Sequence, residues 1–221
     1  QPDNYHHWYH LGMALYEADQ LKPACRAFRQ ALKRHAQDSA VFYHLGLAYL
    51  ARDQQCQAQQ AFRKAIQLKP DDSQSLYQLG QIYAHKEQFR TAIKTYQDAL
   101  SITPDNPDIW FELALLYQQE NQQEQAINAF QVVVQLKPQQ ADAWYFLGYV
   151  LSCSERITEA IEAYQKAIGI NPNKLDAYYN LVMLLIKQEK FEQACFYNKI
   201  ITQKNPGDYQ AWYNLGYIFF Q

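Results

Sequence analysis

Histidine is the one chemically versatile residue that this 221-residue chain distributes unevenly: all six lie within the first 85 positions. His6 and His10 are spaced i, i+4, which puts both imidazoles on one face of a helix, and His44 follows His10 by 34 residues. Imidazoles converging in this way can ligate a metal ion. The preferred reading is nevertheless a set of solvated polar side chains with no metal, and His6, His10 and His44 are the alternative, a candidate metal site. The four cysteines (Cys25, Cys56, Cys153, Cys195) form no C-x-x-C pair and have no register common to all four. They read as free thiols of a reducing compartment, and the cytoplasm is the expected location. Carboxylates are dispersed. Phosphate-cradling glycine loops, H-E-x-x-H and G-x-S-x-G are missing from the sequence, so no catalytic residue and no cofactor is expected. Lys22, Arg26, Arg29 and Lys33 would share one helix face, suited to an anionic partner or simply to solvent. A net charge of −2 argues against a dedicated nucleic-acid binder. No run of 18 apolar residues exists to enter a membrane.

The elements that must carry these residues announce themselves by period. Gly12, Gly46, Gly80, Gly148 and Gly216 are separated by multiples of 34, as are Trp8, Trp110, Trp144 and Trp212. Six prolines (Pro2, Pro70, Pro104, Pro138, Pro172, Pro206) keep the same period. Such a period marks a stacked array. Cutting without insertion or deletion gives repeats 5–38, 39–72, 73–106, 107–140, 141–174 and 175–208, then a terminal helix 209–221. Each repeat reads as two helices. The first has apolar positions at i, i+3, i+4 and i+7, as in Phe42, Leu45, Gly46 and Tyr49. The second spaces Ala, a large aromatic and Ala at four and three, as in Ala24, Phe28 and Ala31. The glycines are expected where paired helices approach closely, facing Ala24, Ala58, Ala92, Ala126, Ala160 and Ala194. The aromatic four residues on is expected between hairpins. Proline closes each second helix, and Asp72, Asn106, Asn173 and Asp208 are expected to start the next.

The pattern W-x2-L-G-x2-[YLF], A-x3-[FY]-x2-A, then P, resembles the tetratricopeptide repeat over essentially the whole chain. Its clearest copy is Trp144, Leu147, Gly148, Leu151, Ala160, Tyr164, Ala167 and Pro172. The resemblance implies an all-α, right-handed α-solenoid of antiparallel helix pairs, as one array. Repeat 6 departs from it, with Val182 for Gly, Asn198 for the aromatic and Ile201 for Ala. Repeat 4 has Ala114 and Val133. The family often places Gly in the turn between paired helices. Here the turn holds Asp19, Asp53, Glu87, Asn121, Glu155 and Glu189, so strain or a shifted turn is expected at the glutamates. The chain starts without Met and stops after one helix of a seventh unit, which reads as a segment of a longer array.

In the resembled family the first helices line a concave groove. One step from the buried stripe lie Tyr9 and Met13, Tyr43 and Leu47, Tyr77 and Gln81, Phe111 and Leu115, Tyr145 and Tyr149, and Tyr179 and Met183. The first of each pair is always aromatic and can serve packing or binding; the second is apolar in five of six. These residues form the candidate peptide-binding groove. The family's carboxylate clamp of Lys, Asn and Arg and its asparagine ladder are not reproduced. The expected function is a protein–protein interaction scaffold for a peptide or amphipathic helix. The alternatives are a substrate-presenting arm of a larger enzyme and a self-association module using the apolar terminal helix.

Overall fold

The computed structural model describes residues 5–35 and 37–220. They are all-α, with thirteen helices and no strand among the described residues. In chain order the helices are α1 (Tyr5–Glu17), α2 (Leu21–Arg34), α3 (Ser39–Leu50), α4 (Gln55–Leu68), α5 (Ser73–His85), α6 (Phe89–Ile102), α7 (Pro107–Gln119), α8 (Gln123–Leu136), α9 (Ala141–Cys153), α10 (Ile157–Ile170), α11 (Leu175–Lys187), α12 (Phe191–Lys204) and α13 (Tyr209–Phe220). Odd-numbered helices open the repeats and even-numbered helices close them, the helix-pair arrangement of an α-solenoid. The residues fall into two compact units, one up to Ile109 and the other from Trp110, with the division inside α7. Pro2 and the rest of the first four residues lie outside the described part.

The contact that sets each hairpin differs in one partner from the sequence expectation. A Cβ built on Gly12 would lie 2.6 Å from the Phe28 ring; on Gly46, 2.6 Å from Phe62; on Gly80, 2.4 Å from Tyr96; on Gly148, 2.9 Å from Tyr164. The glycines thus face the aromatic of their own hairpin. The atoms nearest each missing side chain are those of the ring and not of the alanine four residues before it; the ring also reaches the next hairpin as expected, Phe28 stacking on His44 and Phe130 on Phe146. The physical reason is size: a ring lying flat on the first helix needs the space of a missing side chain. The six alanines are fully buried beside it, as are Ala31, Ala65, Ala99 and Ala167. Repeat 6 reverses the volumes. Val182 and Asn198 are both fully buried, the valine filling what a ring fills elsewhere. Asn198 Nδ2 donates to Ala211 O at 2.6 Å, while its Oδ1 is buried without a partner.

Each pair is joined by one turn, repeated six times. Asp19, Asp53, Glu87, Asn121, Glu155 and Glu189 all have φ of 55° to 58°. The next residue's N–H bonds back five residues, as in Gln20 N to Leu15 O (2.8 Å) and Arg156 N to Leu151 O (3.0 Å). This is the Schellman closure of a helix C-terminus. The glutamates adopt it without shifting, so of the two expected outcomes the turn keeps its geometry and holds strain. First helices start as expected at Asp72, Asn106 and Asp208, and Asp38, not foreseen, starts α3 in the same way; these side chains accept from N–H groups two or three residues on. Asn173 departs from this: α11 begins at Leu175, and Asn173 Oδ1 instead accepts from Lys204 Nζ at 2.8 Å. Tryptophan ties the preceding turn down, since Trp144 Nε1 donates to Pro138 O and Trp212 Nε1 to Pro206 O, both at 2.9 Å.

Three outcomes follow for chemical denaturation. Gly46→Val should cost about 1–3 kcal/mol by overpacking against Phe62, whereas Gly216→Ala, with nothing within 4 Å of its Cβ, should be neutral or gain up to ~1 kcal/mol. Glu155→Gly should raise stability by about 1 kcal/mol by relieving a left-handed residue that carries a side chain.

Candidate functional site

The first helices of neighbouring repeats lie side by side within each unit, and their aromatic ladder is anchored from behind. In the first unit Tyr9 meets Phe28 (ring centroids 6.2 Å), Tyr43 meets Phe62 (5.9 Å) and Tyr77 meets Tyr96 (6.0 Å). In the second, Phe111 meets Phe130 (5.8 Å) and Tyr145 meets Tyr164 (5.9 Å). The ring that occupies the glycine notch is therefore the ring on which the ladder residue rests. Tyr179 has Asn198 in place of that ring, and its hydroxyl donates instead to Asp208 Oδ2. All six ladder residues are half-buried. Burial pushes the Tyr9 and Tyr43 hydroxyls above the usual tyrosine value, with the Asp72 carboxylate adding to the shift at Tyr43. Tyr164, deeper, is raised further by the same cause.

The second set of predicted positions is more open. Tyr149 is 39% exposed and Met183 54% exposed. Tyr149 stands beside Cys153, and the thiolate form of that cysteine is the main reason the tyrosine is harder to ionise. Met13, Leu47 and Leu115 are half-buried. Gln81, the polar exception, turns to donate from Nε2 to Tyr77 Oη at 3.0 Å. Lys174 places its ammonium 4.6 Å over the Tyr145 ring and 2.5 Å from Asp142 Oδ1, adding a charge at the edge of the second unit's face.

One register position belongs to this face and was read only as a failed asparagine ladder: the residue after each ladder aromatic. His44 lies 5.6 Å from Tyr9 and 6.2 Å from Phe28, and Phe146 lies 5.8 Å from Phe111 and 5.9 Å from Phe130. These rings fill the space between successive first helices. Their 34-residue spacing was the available signal, but nothing in the spacing tells a ring that packs from one that binds.

The structure speaks against the alternative reading of His6, His10 and His44 as a metal site. Among the described residues no group of three or more His, Cys, Asp or Glu side chains is placed to hold a metal ion. The Tyr9 ring packs on both His10 and His44, 5.4 Å and 5.6 Å away, and the His44 Nδ1 is engaged with Ala40 O at 2.8 Å. The basic face is also partly structural. Arg29 Nε donates to Tyr49 Oη (3.0 Å), and Arg63 repeats the strut one period later with Tyr83 (2.7 Å from Nη2). A recess of about 460 Å³ between α3 and α4, lined by Phe42, Leu45, Tyr49, Ala61 and Lys64, includes no ladder residue.

Comparison with known proteins agrees with this architecture. The cytochrome c-type biogenesis protein H TPR domain matches residues 29–142, and tetratricopeptide repeat models match residues 8–38 and 141–174. Residues 191–221 match the protein prenyltransferase alpha subunit repeat. No curated protein matches the chain in sequence. Among solved structures, YrrB, described as a TPR protein with an unusual peptide-binding site, is 22% identical with a TM-score of 0.71, over 81% of this chain and 92% of that one. The C-terminal part of a TPR repeat-containing protein from Cytophaga hutchinsonii is 18% identical with a TM-score of 0.79, over 96% and 88%. PilF of Pseudomonas aeruginosa is 16% identical with a TM-score of 0.73, over 94% and 95%. At these identities the likeness is one of fold.

Proposed function

This chain belongs to the tetratricopeptide repeat family, and on that premise we propose that it is a protein-interaction scaffold whose first-helix face binds a peptide segment. The observation that carries the reading is the pair Tyr149 and Met183, on α9 and α11 of the second unit. Both are large, apolar and exposed on a face whose neighbouring rings are fixed from behind. A solvated face gains nothing from a thioether and a phenol there, whereas a partner surface does. The half-buried ladder supplies a rigid floor, so a bound segment orders little of the protein. Tyrosine hydroxyls and amides supply hydrogen bonds to an extended backbone.

The role proposed is non-catalytic, with protein partners in place of nucleic acid. No described helix is long and apolar enough to cross a membrane. The reducing cytoplasm remains the proposed setting, supported by four cysteines that form no C-x-x-C pair.

The test is a panning of a phage-displayed random 16-residue peptide library against the protein, followed by calorimetry with the selected peptides. The double variant Tyr149→Ala, Met183→Ala should keep its helical circular dichroism and lose about tenfold or more in affinity, as for other central aromatic anchors. Unchanged affinity in the folded double variant would overturn the assignment.

A further inference from the structure

The closing helices of the first unit carry a second surface, apart from the first-helix face of α9 and α11. The helices α2, α4 and α6 hold nine Lys and Arg residues and one carboxylate, Asp98. Their counterparts in the second unit, α8, α10 and α12, hold three Lys and four Glu. All of these charged residues are exposed, so packing does not decide their sign. Lys22, Arg26, Lys33, Lys64 and Lys94 form no ion pair with a carboxylate among the described residues. A face of one sign draws and orients partners of the other.

The recess of about 460 Å³ between α3 and α4 lies in this charged setting, in repeat 2, with repeats 1 and 3 on either side. Its apolar lining is Phe42, Leu45, Tyr49 and Ala61. Phe42 holds the register of Trp8, Trp110, Trp144 and Trp212, and its smaller ring leaves room that an indole would take. Arg63, Lys64 and three glutamines (Gln57, Gln60, Gln67) complete the lining. Arg29 reaches Tyr49 from α2, Nε to Oη at 3.0 Å. That bond uses only its Nε, so the other guanidinium donors are open to an anion. We propose that this recess docks an acidic peptide segment of a partner protein. One large apolar side chain enters beside Phe42, and flanking carboxylates meet Arg29, Arg63 and Lys64. The volume is that of a small binding site (roughly 300–1,000 Å³). Glutamine amides, each both donor and acceptor, suit a peptide backbone. A nucleic acid matches the charge, but it binds through phosphate contacts along a track, whereas here the cations surround one apolar recess.

The test starts from the Tyr149→Ala, Met183→Ala variant, so that the first-helix face of the second unit does not select. A phage-displayed random peptide library is panned against it. The most enriched peptide is synthesised with a fluorescein label and titrated by anisotropy. Enriched sequences are expected to join Asp and Glu to a large apolar residue, and the titration to saturate. Phe42→Trp fills the recess with the side chain that repeats 1, 4 and 5 carry in this register. Lys64→Glu reverses one exposed charge at the recess. Each should keep the helical circular dichroism and weaken binding about tenfold or more. The parent protein should bind the same peptide as the double variant does. Failure to enrich acidic peptides, or binding indifferent to both changes, overturns the proposal. So does tighter binding to the parent, which would put the peptide on the first-helix face. Displacement of the peptide by oligothymidylate, with that oligomer's own binding sensitive to Lys64→Glu and not to Phe42→Trp, would assign the surface to nucleic acid and overturn it equally.

Discussion

An aromatic ring lying where a glycine has no side chain is the contact on which the rest of this structure depends. Its distances leave no room for even a methyl group at Gly12, Gly46, Gly80 or Gly148. The contact draws the two helices of a pair together beside a flanking alanine that is fully buried in every repeat, repeats 4 and 6 included, where Ala114 and Val182 replace the glycine. It also orients the ring, whose other edge then supports the ladder residue of the first helix. One interaction thereby links hairpin geometry to the face offered for binding. The Schellman turn at the other end of the first helix completes the hairpin. It tolerates aspartate, asparagine and glutamate alike, because packing around it outweighs the cost of a left-handed residue.

Where the contact is altered, the structure records a compensation. Repeat 6 trades glycine and ring for Val182 and Asn198, keeping the volume filled and leaving one buried amide oxygen without a partner. The loss of the ring also frees Tyr179, which turns its hydroxyl to Asp208.

The fold was legible in the residues because steric demands recur with the period. Proline, glycine and tryptophan at 34-residue intervals can mean little other than stacked helix pairs. The partner of each glycine was not legible. Spacing says that Ala24 and Phe28 share a helix face but not which of them crosses over Gly12, and only the rotation of α2 decides it. The starter of α11 was misread at Asn173 because asparagine caps and asparagine turns look alike in sequence, and here the side chain goes to Lys204. The site was legible as a set of positions and not as a set of roles. Tyr9 and Tyr149 both read as groove residues, yet the first is held by Phe28 and the second stands out toward solvent. The histidines offered a metal site as an alternative because helix spacing ignores neighbouring side chains, and the ring of Tyr9 packs on both His10 and His44.

The central claim is that ring and glycine are energetically one unit. A double-mutant cycle on Gly80 and Tyr96 measures this directly. Gly80→Ala should destabilise strongly while the tyrosine is present and far less in a Tyr96→Leu background, giving a coupling of about 1–3 kcal/mol. Additive effects, within about 0.3 kcal/mol, would contradict the account.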